Sequence, residues 1–179
     1  MTDVKLTSTN ALLQQQIGNE FFASQQYAAF AVWLDQQALP QLAVHFYRQA
    51  VEERNHAMML VRYLMDRDVA VTIPGVPDVH NELGSVVELI DLALAQEKRV
   101  TADFERIIAA ARADGDYLAE QFTHWFLKEQ VEEVASMSTL LQVAMRVGDN
   151  LMLLEDYLAR ETTAGVSDPT APPAAGGAL

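Results

Sequence analysis

Over four long stretches the apolar residues recur at intervals of three and four positions, the spacing that lines one face of an α-helix. No sustained alternation of apolar and polar residues competes with it. Helix A is predicted from about Asn10 to Gln37, its stripe running Leu13, Ile17, Glu20, Tyr27, Ala31 and Leu34. Helix B starts at Pro40, whose fixed φ and missing N–H suit a first turn. It continues to about Arg67 with Leu42, Phe46, Glu53, Ala57, Leu60 and Leu64 on one side. So short a break between A and B makes them antiparallel neighbours. Ser85 followed by Glu88 is a capping-box signature opening helix C, whose stripe is Val86, Ile90, Leu94, Glu97, Phe104 and Ile108. Helix C ends near "ADGD", and helix D runs from Asp116 to about Val147 with Phe122, Phe126, Glu133, Met137 and Leu140 inward. "GDN" then breaks the chain before a short apolar helix E, Leu151 to Arg160.

Between B and C lies "DVAVTIPGVPDVHNELG", residues 68–84, a long connection for a compact domain. Helix B is about 40 Å long at ~1.5 Å per residue, and a chain of that length, extended, can cover the span. The expected fold is therefore all-α: a four-helix bundle with one long crossover, B and C parallel, plus a short fifth C-terminal helix. Residues 1–161 make one domain. The tail, residues 162–179, "TTAGVSDPTAPPAAGGAL", has a composition expected to stay disordered, with docking to a partner left open.

Each of the four stripes contains one carboxylate. Glu20 and Glu53 stand at nearly equal distances from the turn near residue 37, and Glu97 and Glu133 at equal distances from the turn near 115. Four glutamates thus converge on one level of the bundle. As bare anions in an apolar core they would cost more than a domain's net stability, so something must neutralise them. Protonation is one route. Two divalent cations are another, and His56, one turn from Glu53, adds a neutral nitrogen ligand. A lone Glu-x-x-His would read as a solvated surface pair; four coincident core positions favour a dinuclear carboxylate site.

The remaining composition is consistent with cation binding. Acidic residues number 25 against 12 basic, a net charge of -13 that repels nucleic acid and anionic membranes, although solubility alone would also explain it. With no cysteine, thiolate metal sites and disulfides are excluded. The start lacks an apolar secretion signal and no run of about 18 apolar residues occurs, so a cytoplasmic protein is expected.

Glu20 with Tyr27 in helix A, "EERNH" in helix B, Glu97 in helix C and "WFLKEQVEEV" in helix D resemble the ferritin family, specifically its bacterial non-haem members, over roughly residues 10 to 160. The resemblance implies a ferritin-like iron-storage protein: a homo-oligomeric shell of 24 subunits with a ferroxidase diiron centre in each. Fe(II) is oxidised there by O2 or peroxide, and the Fe(III) is stored as mineral. Glu20, Glu53 and His56 would hold one iron; Glu97, Glu133 and the bridging Glu53 the second, with Gln130 close by. A third iron site is implied at Glu52, Glu129, Glu132 and the shared Glu133, against which stands a plain solvated acidic face. Tyr27 matches a family tyrosine beside the centre, as electron donor or hydrogen-bond partner, though an ordinary core tyrosine has the same pattern. The resemblance also places a threefold channel at the start of helix D, where Asp116 and Glu120 lie one turn apart. Asp116 equally fits a helix cap.

Departures narrow the expectation. Helix D carries Gln130 and Glu133 where bacterioferritins have a second Glu-x-x-His, and Arg54 stands at the position of their haem-ligating methionine, so no haem is expected. Helix E and a tail without basic residues separate the chain from DNA-binding mini-ferritins. Met58 and Met59 read as core packing, and His45, His80 and His124 show no partner pattern. The alternatives are a non-catalytic cage or bundle subunit with protonated carboxylates, and a rubrerythrin-like peroxidase, which would need the missing cysteines. Helix E, too short to stand alone, is expected to pack against symmetry mates.

Overall fold

The computed structural model describes residues 8–161 and 168–179. Five helices follow one another: α1 (Ser8–Gln36), α2 (Pro40–Asp66), α3 (Val86–Asp114), α4 (Tyr117–Val147) and α5 (Leu151–Glu161). The ends fall within one or two residues of the expected ones, the usual scatter of frayed helix termini. Ser85 caps α3 as its spacing predicts, its side chain accepting from Glu88 N at 3.1 Å. In return the Glu88 carboxylate accepts from a backbone N–H one residue further out, that of Gly84, at 2.7 Å. α3 stops at Gly115, whose left-handed φ of 70° lets the chain reverse into α4, capped by Asp116.

Two contacts fix the directions. Thr9 at the start of α1 meets Asp114 at the end of α3, its N–H and hydroxyl 2.9 and 2.7 Å from one carboxylate oxygen. Arg67, just past α2, pairs with Asp116 at the head of α4 at 2.8 Å. With α1 and α2 antiparallel across their tight turn, α2 and α3 must run parallel, as a long crossover requires. That crossover has no helix or strand of its own, so its backbone groups need partners. Two glutamines of α1 supply them: the carboxamides of Gln14 and Gln26 each bond the N–H and C=O of one loop residue, Thr72 and His80. Gly18 gives the loop room, since a Cβ there would lie 3.1 Å from Pro74 Cγ.

The core has two apolar halves. One gathers Tyr27, Phe30, Leu34, Phe46, Leu89 and Met137; the other Leu13, Ile17, Leu60, Leu64, Phe104 and Phe126. Between them runs a polar layer, and that layer is the candidate site.

Two C-terminal segments pack on the bundle of their own chain. α5 packs on α2 and α4 of its own chain, burying Leu154 and Leu158, because it carries a cap that α2 lacks. Leu39 precedes α2 and offers no side-chain hydrogen bond. The buried carboxylate of Glu155 takes its place, accepting from Gln41 N at 2.8 Å and Leu42 N at 2.9 Å. Glu155→Ala should therefore lower stability by about 2 kcal/mol, read by denaturant unfolding; a loss below about 0.5 kcal/mol would remove the cap from the account. The tail was expected to be disordered throughout. Residues 162–167 lie outside the described residues, but 168–179 lie on the bundle. Asp168 accepts from Trp125 Nε1 and Lys128 Nζ, both at 3.2 Å, Ala175 N donates to Met58 O at 3.0 Å, and Leu179 N donates to Asn55 at 3.1 Å. Small alanines let this stretch, folded through two turns, approach the helices, and backbone N–H groups of Ala175 and Leu179 bond to them.

Candidate metal centre

Each bundle helix delivers one acid to the polar layer. Glu20, Glu53 and Glu97 are at most 1% exposed and His56 3%, while Glu133 is half-buried. One ligand atom from each of Glu20, Glu53 and His56 lies within 4.8 Å of the other two, the one such group of three among the described residues. His56 Nδ1 stands 3.3 Å from Glu53 Oε2, and the ring is held edge-on by Trp125 and Phe126, centroids 5.7 Å away in each case. Gln16 donates to Glu20 Oε1 at 2.7 Å, leaving Glu20 Oε2 buried without a hydrogen-bond partner. A buried carboxylate oxygen left bare, beside a second carboxylate and an imidazole, is a donor set that fits a cation.

Glu97 and Glu133 stand outside that tight group but belong to the same layer. The Tyr27 hydroxyl donates to Glu97 Oε1, and Gln130 Nε2 donates to Glu97 Oε2 at 3.2 Å. Thr101 Oγ1 fixes the Gln130 carboxamide through its Oε1 at 2.9 Å. On the far side Gln49 Nε2 reaches Glu52 Oε2 at 3.0 Å and Glu133 Oε1 at 3.5 Å. Gln16, Gln49 and Thr101 escaped the sequence reading. A usable signal existed: each stands one helical turn from a stripe carboxylate, where a polar side chain can orient it.

Burial, reinforced by neighbouring acids, governs the protonation. Desolvation raises Glu20 and Glu53 well above the carboxylate range, with Glu53 adding to the first and Glu97 to the second. Burial likewise raises Glu97, against the hydrogen bond from Tyr27, and pushes Glu133 up to about 8, with Glu52 and Glu97 contributing. Without metal the layer therefore keeps protons at neutral pH, and a cation displaces them.

The other acids sit differently. Glu52 and Glu129 are half-buried and Glu132 is exposed; Lys128 Nζ lies 3.8 Å from Glu129, and no three of Glu52, Glu129, Glu132 and Glu133 form a tight group among the described residues. Asp116 is committed to its cap, accepting from Ala119 N at 3.0 Å, and to Arg67. Glu120 pairs with Arg112 Nε at 2.7 Å and faces His124 Nε2 at 3.6 Å, so neither acid is bare.

An all-α bundle with a long crossover and a carboxylate–histidine layer through its core is the class this architecture defines. The chain belongs to the ferritin family, described as "Ferritin-like domain", which matches residues 10–147. It is 58% identical over 173 residues to "Ferritin BfrB" of Mycolicibacterium smegmatis (97% of this chain, 96% of that one). It is 56% identical, with the same coverage, to a Mycobacterium tuberculosis protein called "Bacterioferritin BfrB" in strain H37Rv. "Bacterial non-heme ferritin" of Staphylococcus aureus is 35% identical over 84% of this chain and 92% of its own. Among solved structures, an open pore ferritin from Archaeoglobus fulgidus superposes with a TM-score of 0.84 at 23% identity, covering 88% of this chain and 98% of that one, a likeness of fold. No helix among the described residues is long and apolar enough to cross a membrane.

Proposed function

We propose that the protein stores iron, oxidising Fe(II) with O2 or peroxide at a dinuclear centre and keeping the ferric product inside a homo-oligomeric shell of 24 subunits. The observation that carries this reading is the bare Glu20 Oε2 beside Glu53 and His56. Glu20, Glu53 and His56 take one Fe(II), Glu97 and Glu133 the second, with Glu53 between them. Two Fe(II) supply the two electrons that reduce O2, with two protons, to hydrogen peroxide, or hydrogen peroxide to water. The protons the carboxyl groups release on binding iron can enter that balance. Gln16, Gln130 and Gln49 orient the acids, and Tyr27 holds Glu97 from the opposite side. Exposed apolar residues such as Val44, Val51, Val131, Met152 and Leu153 support burial between subunits. Haem is left out of this reading, because Arg54, a cation with no lone pair to offer, follows Glu53.

Protein purified without chelator should carry iron, and metal-free protein mixed with Fe(II) in air should turn amber much faster than buffer does. A rate equal to that of buffer would end the ferroxidase reading.

Iron must also cross the shell, and Glu120 is the residue proposed for the threefold access route. Glu120→Gln leaves Arg112 and His124 unopposed there, which should slow oxidation at low ionic strength and matter less as salt screens the field. Metal content per subunit should not change. Equal low-salt rates for this variant and the parent, both assembled, would exclude the route.

A further inference from the structure

The bare oxygen of the centre depends on a carboxamide. Gln16 Nε2 occupies Glu20 Oε1 at 2.7 Å, which leaves Oε2 as the oxygen without a partner. A carboxamide turned by half a circle fills the same space with donor and acceptor exchanged. Packing alone therefore does not fix Gln16; the polarity of its other partner does. That partner is Asn19, whose Nδ2 donates to Gln16 Oε1 at 3.0 Å and to Asp103 Oδ2 on α3 at 3.1 Å. We propose that Asp103 is a positioning residue for the metal centre. Given that Glu20, Glu53 and His56 hold a cation as read above, Asp103 acts through Asn19 and Gln16 to keep a donor against Glu20, and this line of hydrogen bonds raises the affinity for the first divalent ion.

The direction of the line is set at its outer end. Asp103 is a half-buried carboxylate whose Oδ1 is paired with the exposed Arg106 through Nη1 at 2.7 Å. A carboxylate only accepts, so Asn19 must present its NH2 group, whose two hydrogens serve Asp103 and Gln16 together. Gln16 must then turn its oxygen to Asn19 and its NH2 group to Glu20. The line thus passes from the surface of α3 through α1 into the core, where Gln16 is 1% exposed and Glu20 0%. Reversed, Gln16 would set an oxygen against Glu20 Oε1, two acceptors with no hydrogen between them. The Glu20 carboxylate would have to turn, giving up its place beside Glu53 and His56. Groups that orient a metal ligand from behind govern its affinity by about 10- to 100-fold.

Exchanging the two outer groups, Asn19→Asp together with Asp103→Asn, tests the direction at constant net charge. The new carboxamide at position 103 keeps its oxygen on Arg106 and donates to the new carboxylate at 19, so the tie between α1 and α3 survives. Position 19 then accepts from Gln16 and turns the Gln16 oxygen to Glu20. The exchange also brings a negative charge nearer the centre, so charge alone would tighten cation binding, whereas the lost donor weakens it. Zn(II), which does not oxidise, is titrated calorimetrically into metal-free assembled protein at pH 7.5. The first-ion dissociation constant should rise at least about tenfold in the exchanged variant. The melting temperature of its metal-free form should stay that of the parent, which a merely structural role would not allow. Asp103→Asn alone, an isosteric change at a half-buried site, should weaken binding in the same sense because Arg106 claims its oxygen, and it decides the matter if the exchanged variant does not assemble. First-ion binding within about twofold of the parent, or tighter, overturns the proposal. Glu20→Ala keeps the two readings apart: if it loses that ion the centre stands whatever becomes of Asp103, and if it keeps the ion the centre falls and the positioning role with it.

Discussion

Alanine at Glu20, Glu53 or His56 should abolish the fast phase of Fe(II) oxidation, at least about 100-fold below the parent, with helix content unchanged. The three side chains supply the atoms that converge within 4.8 Å, so each deletion leaves two ligands where three stood. Folding survives because each acid is a liability in the metal-free state: Glu20 and Glu53 are raised by burial and by neighbouring acids, and removing one relieves the other. Tyr27→Phe is the informative contrast. It keeps the ring against Phe30 and Phe46 and deletes the donor to Glu97, so a slowing of tenfold or less marks a positioning hydroxyl. The decisive readout is stopped-flow oxidation at two Fe(II) per subunit. Initial rates within about twofold of the parent in all three alanine variants would dismiss the centre.

The bundle was legible because its information is local. Period, caps and breaks lie within a few residues of one another, as Ser85 with Glu88 or Pro40 at the head of α2 illustrate, and the stripe positions named from period alone are buried, with Phe122 and Glu133 partly so. The carboxylate layer was legible for the same reason, since a glutamate at a stripe position is an anomaly that periodicity exposes. What escaped are contacts whose partners are remote in sequence. Glu155 caps α2 across 113 residues, Gln26 holds His80 across 54, and nothing local to either residue announces it. Asp116 and Glu120 show the converse: sequence offers Asp116 as a channel acid or a helix cap and Glu120 as a channel acid, whereas Arg67, next to α2, and Arg112, in α3, engage them in space. Asn19 had no pattern at all, because its partner Asp103 lies 84 residues away and only packing brings the two together.

Metal-free protein should lose stability as pH rises from 6.5 to 8 and regain it when a divalent cation is added. Glu20, Glu53, Glu97 and Glu133 all have folded pKa values raised above the unfolded carboxylate value of 4.5. In that window the folded state binds more protons than the unfolded one, so the stability these groups contribute, full below about 4.5, is lost as pH climbs through the folded values, about 8 for Glu133. His45 acts in the opposite sense, but only between its folded value of about 4 and its unfolded 6.5, which is why the clean window begins above it. Asp116 and Glu120 are lowered and already ionised in both states there. One proton held across 1.5 pH units is worth about 2 kcal/mol; since Glu133 is half-buried, solvent screening trims its share toward about 1 kcal/mol, and the other three acids add to it. For a chain of this size that means a fall in Tm of several degrees. Zn(II) at 100 times its dissociation constant contributes about 2.7 kcal/mol in return, and more at pH 8 than at pH 6.5 because protons compete for the same oxygens. The two curves should therefore diverge with pH, falling without metal and level or rising with it. Parallel curves, measured by differential scanning fluorimetry on chelator-treated and Zn(II)-loaded protein, would mean that the acids of the layer are not where the metal goes.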